Sequence, residues 1–154
     1  MTCMPTQCAR VMAVVKLKMS EELILHYPFN ISFNIQEIVD TYESSFRSII
    51  NIKHTHSSGV FTYSASDIWF HTSDIDNFTI ELKKLLLGEV DAATLQDMSK
   101  YFSYHIKHES IQLEIYEPST NDSTATLSLE QNTHFEAIQT NLDYLNNFPK
   151  WWTA

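Results

Sequence analysis

Glycine is almost absent from this chain. Its 154 residues include two, Gly59 and Gly88, 29 positions apart. A phosphate-cradling P-loop needs two glycines five apart, a dinucleotide fingerprint three within six residues, and a nucleophile elbow two that are four apart. None of these can be assembled here. The two glycines instead mark places where the chain turns. Gly59 closes the run His56-Ser57-Ser58-Gly59, where a positive φ is expected, and Gly88 stands where a helix would end.

Charge narrows the function classes further. Residues 1–18 hold Arg10, Lys16 and Lys18 and no acid, whereas residues 19–154 hold seven bases and nineteen acids, a net of −12. Binding the phosphate backbone of a nucleic acid needs clustered Lys and Arg, so the balance opposes nucleic-acid binding and anionic membrane surfaces. It favours a basic protein partner, because opposite charge speeds encounter. The cysteines are Cys3 and Cys8, too few for a disulfide framework or a four-cysteine zinc site. No apolar run approaches the roughly 20 residues of a membrane span. The charge reversal at Met19 suggests an N-terminal extension over residues 1–18 and a single domain over 19–154. A short strand around Val11–Leu17 is the competing reading.

The pattern of apolar residues predicts strands, a helix, more strands and a last helix. Ile31, Phe33 and Ile35 alternate with Ser32 and Asn34, as a half-buried strand requires. Residues 36–45 have no clear period. Phe46–His54 and Val60–Thr72 read as strands, the second broken near Ala65–Asp67. A helix is expected over Asp74–Leu87, capped by Ser73, with Ile75, Phe78, Leu82, Leu85 and Leu86 on one face. Asp91–Ser99 reads as a further turn of helix or a loop. Tyr101–Lys107, Ile111–Tyr116 and Thr124–Glu130 follow as strands, then a helix over Thr133–Asn146 with Phe135, Ile138, Leu142 and Leu145 on its apolar face. Pro149 stops it and leaves Trp151 and Trp152 as a terminal aromatic hook. The expected class is α+β: a mainly antiparallel sheet with a central helix and a C-terminal helix packed on one face.

Constellations with catalytic chemistry are sparse. His54 and His56 share one face of a strand, and a third ligand such as Glu109 or His71 would be needed to hold zinc. Otherwise they are ordinary sheet histidines. Asp74 and Asp76 suit the positive end of a helix dipole better than an acid–base pair. The Ser-x-x-Lys signature of one acyl-enzyme class does not occur at a helix start. No cofactor and no metal are called for.

Trp69-Phe70-His71-Thr72-Ser73-Asp74-Ile75-Asp76-Asn77-Phe78, continued by Glu81-Leu82-Lys83 and ended at Gly88, resembles a pattern in small bacterial immunity proteins of polymorphic or contact-dependent toxin systems. There an aromatic strand enters a serine–aspartate helix start, and more strands and an amphipathic C-terminal helix follow. The layout spans residues 46–152, the motif about fifteen residues. The resemblance implies a cytoplasmic protein that binds and neutralises a cognate toxin domain by occlusion, without catalysis of its own. With the charge, it points to a basic toxin domain such as a nuclease. Toxin-facing residues differ among such proteins, so none carries over. The acids expected at loops and helix ends are Asp67, Asp74, Asp76, Glu117 and Asp122. The alternatives are a small hydrolase or metal-dependent enzyme using His54 and His56, and an adaptor subunit of a larger assembly.

Overall fold

A computed structural model describes residues 14–15, 22–40, 42–118, 124–133 and 135–153. Among these residues nine strands and two helices follow in order: β1 (Val14–Val15), β2 (Glu22–Leu25), β3 (Asn30–Val39), β4 (Ser45–His56), β5 (Gly59–His71), α1 (Thr72–Leu86), β6 (Ala92–Gln96), β7 (Phe102–Lys107), β8 (Ser110–Pro118), β9 (Thr124–Asn132) and α2 (Phe135–Asn147). A 3-10 turn, Trp151–Thr153, follows. The class is α+β, and all pairing is antiparallel.

The strands form two sheets where the sequence suggests one. The first has the order β3-β4-β5, with β2 and β1 both paired along the far edge of β3. The second is the meander β6-β7-β8-β9. Val14 and Val15 pair with Val39 and Ile38. The proposed boundary at Met19 and the rest of residues 1–18 lie outside the described residues.

Alternation decides which face is buried. Ile31, Phe33 and Ile35 point inward, and so does Ile38, three residues on. The odd spacing works because the register slips between Ile35 and Glu37, where Gln36 is an extra residue. That bulge explains why no period is visible after Ile35. A second bulge sets Ser66 and Asp67 against Ile49, where the sequence suggests a break. It lets Ala65 and Ile68 both face inward, and Asp67 takes a positive φ of 56°.

β6 corrects the reading of residues 91–99. Ala and Gln favour helices, but Ala93 and Leu95 are fully buried and pair opposite Ile106 and Tyr104. Tertiary pairing overrides local preference here.

Each sheet is followed by a helix, giving two units of strands and helix. Each helix lies on the first main strand of the other unit: α1 on β6 and α2 on β2, with the helices touching each other. The inner faces of both sheets and the apolar stripes of both helices share one hydrophobic core. Phe102 in β7 meets Phe33 and Phe70 from the first sheet, edge to face, at 5.5 and 5.9 Å between ring centroids.

The start of α1 differs from expectation. Its N-cap is His71, not Ser73, and the Asp74 carboxylate accepts the His71 backbone N–H at 2.9 Å. Thr72 is drawn into the helix because its backbone N–H and its hydroxyl both donate to the Ser44 carbonyl. Gly88 ends the helix as expected. Its φ is 72°, its N–H donates to the Leu85 carbonyl, and the Glu89 N–H donates to the Lys84 carbonyl. Gly59 opens β5 and does not need a positive φ. α2 begins at Phe135, which is exposed. Its buried face is Ala137, Ile138, Asn141, Leu142 and Leu145.

The cap geometry makes a direct prediction. Asp74→Ala should cost about 1 kcal/mol by freeing a first-turn partner, whereas Ser73→Ala should stay within about 0.5 kcal/mol. Urea midpoints decide it. The reverse order would move the helix start back to Ser73.

Candidate functional site: an acidic cleft between α1 and β6

Asp74, Asn77 and Glu81 recur at spacings of three and four, so they form one stripe of α1. Ile75, Phe78, Leu82 and Leu85 take the buried side of the same helix. Because α1 lies along β6, the polar stripe faces Thr94, Gln96 and the turn Asp97–Met98. Together with His71 these residues line a cavity of about 470 Å³. Three carboxylates line it, from Asp74, Glu81 and Asp97, and no Lys or Arg does.

Each carboxylate also holds backbone in place. Asp74 caps α1, as above. Glu81 accepts the Thr94 N–H at 2.8 Å. β6 is an edge strand, and its outward N–H groups would otherwise invite another strand. Asp97 is buried and accepts the N–H groups of Phe102 at 2.9 Å and Ser99 at 3.3 Å. It thereby ties the β6–β7 turn, where Lys100 takes a positive φ of 61°. Burial pushes the Asp97 carboxyl above its ordinary value, and the backbone donors offset part of that.

The five acids singled out from the sequence are scattered. Asp74 lines the cleft. Asp76 sits one residue off the stripe and accepts hydrogen bonds from Trp152 Nε1 at 2.8 Å and Lys150 Nζ at 3.3 Å. It anchors the C-terminal hook, in which Trp151 packs edge-on against Phe46. Asp67 lies on the outer face of the first sheet, paired with Arg47 at 3.0 Å, and Arg47 also reaches Glu37 at 3.1 Å. Glu117 belongs to β8, opposite Ala125, and its side chain lies outside the described residues, as does all of Asp122. The structure brings Asp74 together with Glu81 and Asp97, neither of which the sequence reading selects. Spacing from Asp74 points to Glu81. Nothing local points to Asp97, because β6 itself is not legible.

His54 and His56 do share a strand face, with ring centroids 4.4 Å apart, and His54 also meets Phe29 edge-on. Among the described residues no three His, Cys, Asp or Glu side chains gather closely enough to hold a metal. Burial, and then His56, lower the His54 pKa.

A second histidine arrangement escapes the sequence. On the outer face of the second sheet His105 Nε2 is 2.7 Å from Ser103 Oγ, and Nδ1 is 2.9 Å from Thr94 Oγ1. A Ser–His contact at this length is the first requirement of an activated nucleophile. Here, however, Ser103 is buried, and the third partner is a hydroxyl rather than a carboxylate. The row cross-links β6 and β7. Ser103 and His105 are visible as a period-two pair, but the register that brings Thr94 opposite is not.

Among the described residues no helix is long and apolar enough to cross a membrane. Comparison with protein-family models, with curated proteins and with solved structures gives no significant match.

Asp97 carries a pH prediction. Its folded carboxyl holds a proton more tightly than the unfolded value of 3.8. The folded state is therefore favoured below that value, and stability falls as pH rises from it until the raised folded value is passed. Asp97→Asn removes this loss. Urea midpoints across the mildly acidic range should decline more for the parent chain than for the variant. Parallel curves would contradict the assignment.

Proposed function

We propose that this chain is a non-enzymatic binding protein that captures a basic protein domain and covers its working surface. In that reading it acts as an immunity protein against a toxin of a bacterial polymorphic or contact-dependent system, and it works in the cytoplasm. The observation that carries the reading is the cleft between α1 and β6. Three carboxylates line it, and no Lys or Arg does. The excess of acids over residues 19–154 adds a long-range field of the same sign.

The physical logic favours capture over chemistry. The carboxylates of Asp74, Glu81 and Asp97 are fixed by backbone N–H donors, so their orientation is set before a partner arrives. A Lys or Arg side chain entering the cleft would meet preorganised acceptors. Acid–base catalysis would need one carboxyl free to exchange its proton with a substrate, and Asp97 is instead committed to two N–H groups.

Association kinetics with a basic toxin domain encoded beside this chain test the proposal. Asp74→Asn with Glu81→Gln removes two charges and keeps an acceptor oxygen at each position. The pair should slow association by about tenfold at low salt, and physiological salt should shrink the difference. Association unaffected by salt or by the pair would remove the cleft from the account. No binding would remove the immunity reading.

A further inference from the structure

The outer face of the first sheet differs in character from the acidic cleft. On that face, Asn30 in β3 pairs opposite Lys53 in β4 and Lys53 opposite Thr62 in β5, and in the next row Ser32 pairs opposite Asn51 and Asn51 opposite Ser64. These six side chains line a cavity of about 350 Å³. A second cavity of about 420 Å³ shares Asn30 and Lys53 and reaches His26, His54, Thr55 and Gln131. Nineteen acids lie in the chain, yet among the described residues none lines either cavity. One ammonium group, from Lys53, stands where the two meet.

Among the described residues, Ser32, Asn51, Lys53, Thr62 and Ser64 make no side-chain hydrogen bond or ion pair with one another or with the rest of the fold. The Asn30 Oδ1 accepts from His26 Nδ1–H at 2.9 Å, which leaves the Asn30 amide N–H₂ as a donor. The wall therefore offers an amide donor, further hydroxyl and amide groups, and one point charge.

We propose that this face binds a small phosphorylated polyol, such as a sugar phosphate, with the phosphate at Lys53 and the hydroxyls along Ser32, Asn51, Thr62 and Ser64. A phosphate presents three strong acceptor oxygens and suits a lysine point charge surrounded by neutral donors. The hydroxyl and amide groups both donate and accept, as sugar hydroxyls require. Each of the two cavities alone has the volume of a small-molecule site. His54 also borders the second cavity, where burial and then His56 lower its pKa.

The test uses the full chain, with backbone amide shifts as readout and ribose 5-phosphate, inorganic phosphate and ribose as probes. Ribose 5-phosphate should shift the amides of residues 30–32, 51–53 and 62–64 in a saturable way. Ribose should bind about tenfold or more weakly, and Lys53→Gln should lose at least as much. Lys107→Gln, which removes the same charge from an exposed position on the other sheet, should leave binding unchanged. Three results would overturn the proposal: equal binding of ribose, inorganic phosphate binding as tightly as the ester, or equal losses from the two lysine variants. Absence of saturable shifts at millimolar ester would overturn it as well. None of these outcomes bears on the cleft between α1 and β6.

Discussion

The contact of Phe102 with Phe33 and Phe70 is the joint on which the molecule is built. Among the described residues the two sheets share no ladder hydrogen bonds, so side chains hold them together, and these rings meet edge to face at the junction. Each such pair adds about 0.5–1.5 kcal/mol beyond the area it buries. A backbone bond from Met98 N–H to the Trp69 carbonyl, 2.9 Å, also joins the two sheets. With the seam closed, β6 is brought beside α1, and the cleft exists only because of that. A polar stripe on α1 would otherwise be an ordinary solvated helix face.

The exchange of helices between the two units has the same consequence. α1 leaves the first sheet and covers the first strand of the second, and α2 returns to β2. Asn141 in α2 fixes this return by donating to the Tyr27 carbonyl at 2.8 Å and to the Ala137 carbonyl at 2.7 Å. Asp76 and Trp152 then clamp the chain end to α1. Acids thus serve two purposes. Those at the cleft accept backbone N–H groups while lining a cavity, whereas Asp76 is engaged by Trp152 and Lys150. Net charge alone does not separate these roles, and hydrogen-bond partners do.

Elements with strong period were legible in the sequence: the Ile31–Ile35 alternation, the α1 stripe ended at Gly88, and the terminal tryptophans. What escaped was set by distant partners. β6 is written in residues that suit a helix, and only β7 makes it a strand. The start of α1 at Thr72 depends on the Ser44 carbonyl, 28 positions earlier. The bulges at Gln36 and at Ser66–Asp67 erase the period they repair. For the site, Asp74 was legible because caps have local rules. Glu81 and Asp97 acquire meaning only through Thr94 and Phe102, which no local pattern pairs with them. Asp67 and Asp76 were plausible as exposed acids, yet Arg47 and Trp152 engage them.

The central claim is that a basic partner seats on the cleft between α1 and β6. Hydrogen exchange of the chain, free and bound to the basic toxin domain encoded beside it, reads that surface residue by residue. The account predicts new protection concentrated in the first two turns of α1 and in residues 94–98. Protection over the outer face of the first sheet, with exchange in α1 and β6 unchanged, would contradict it.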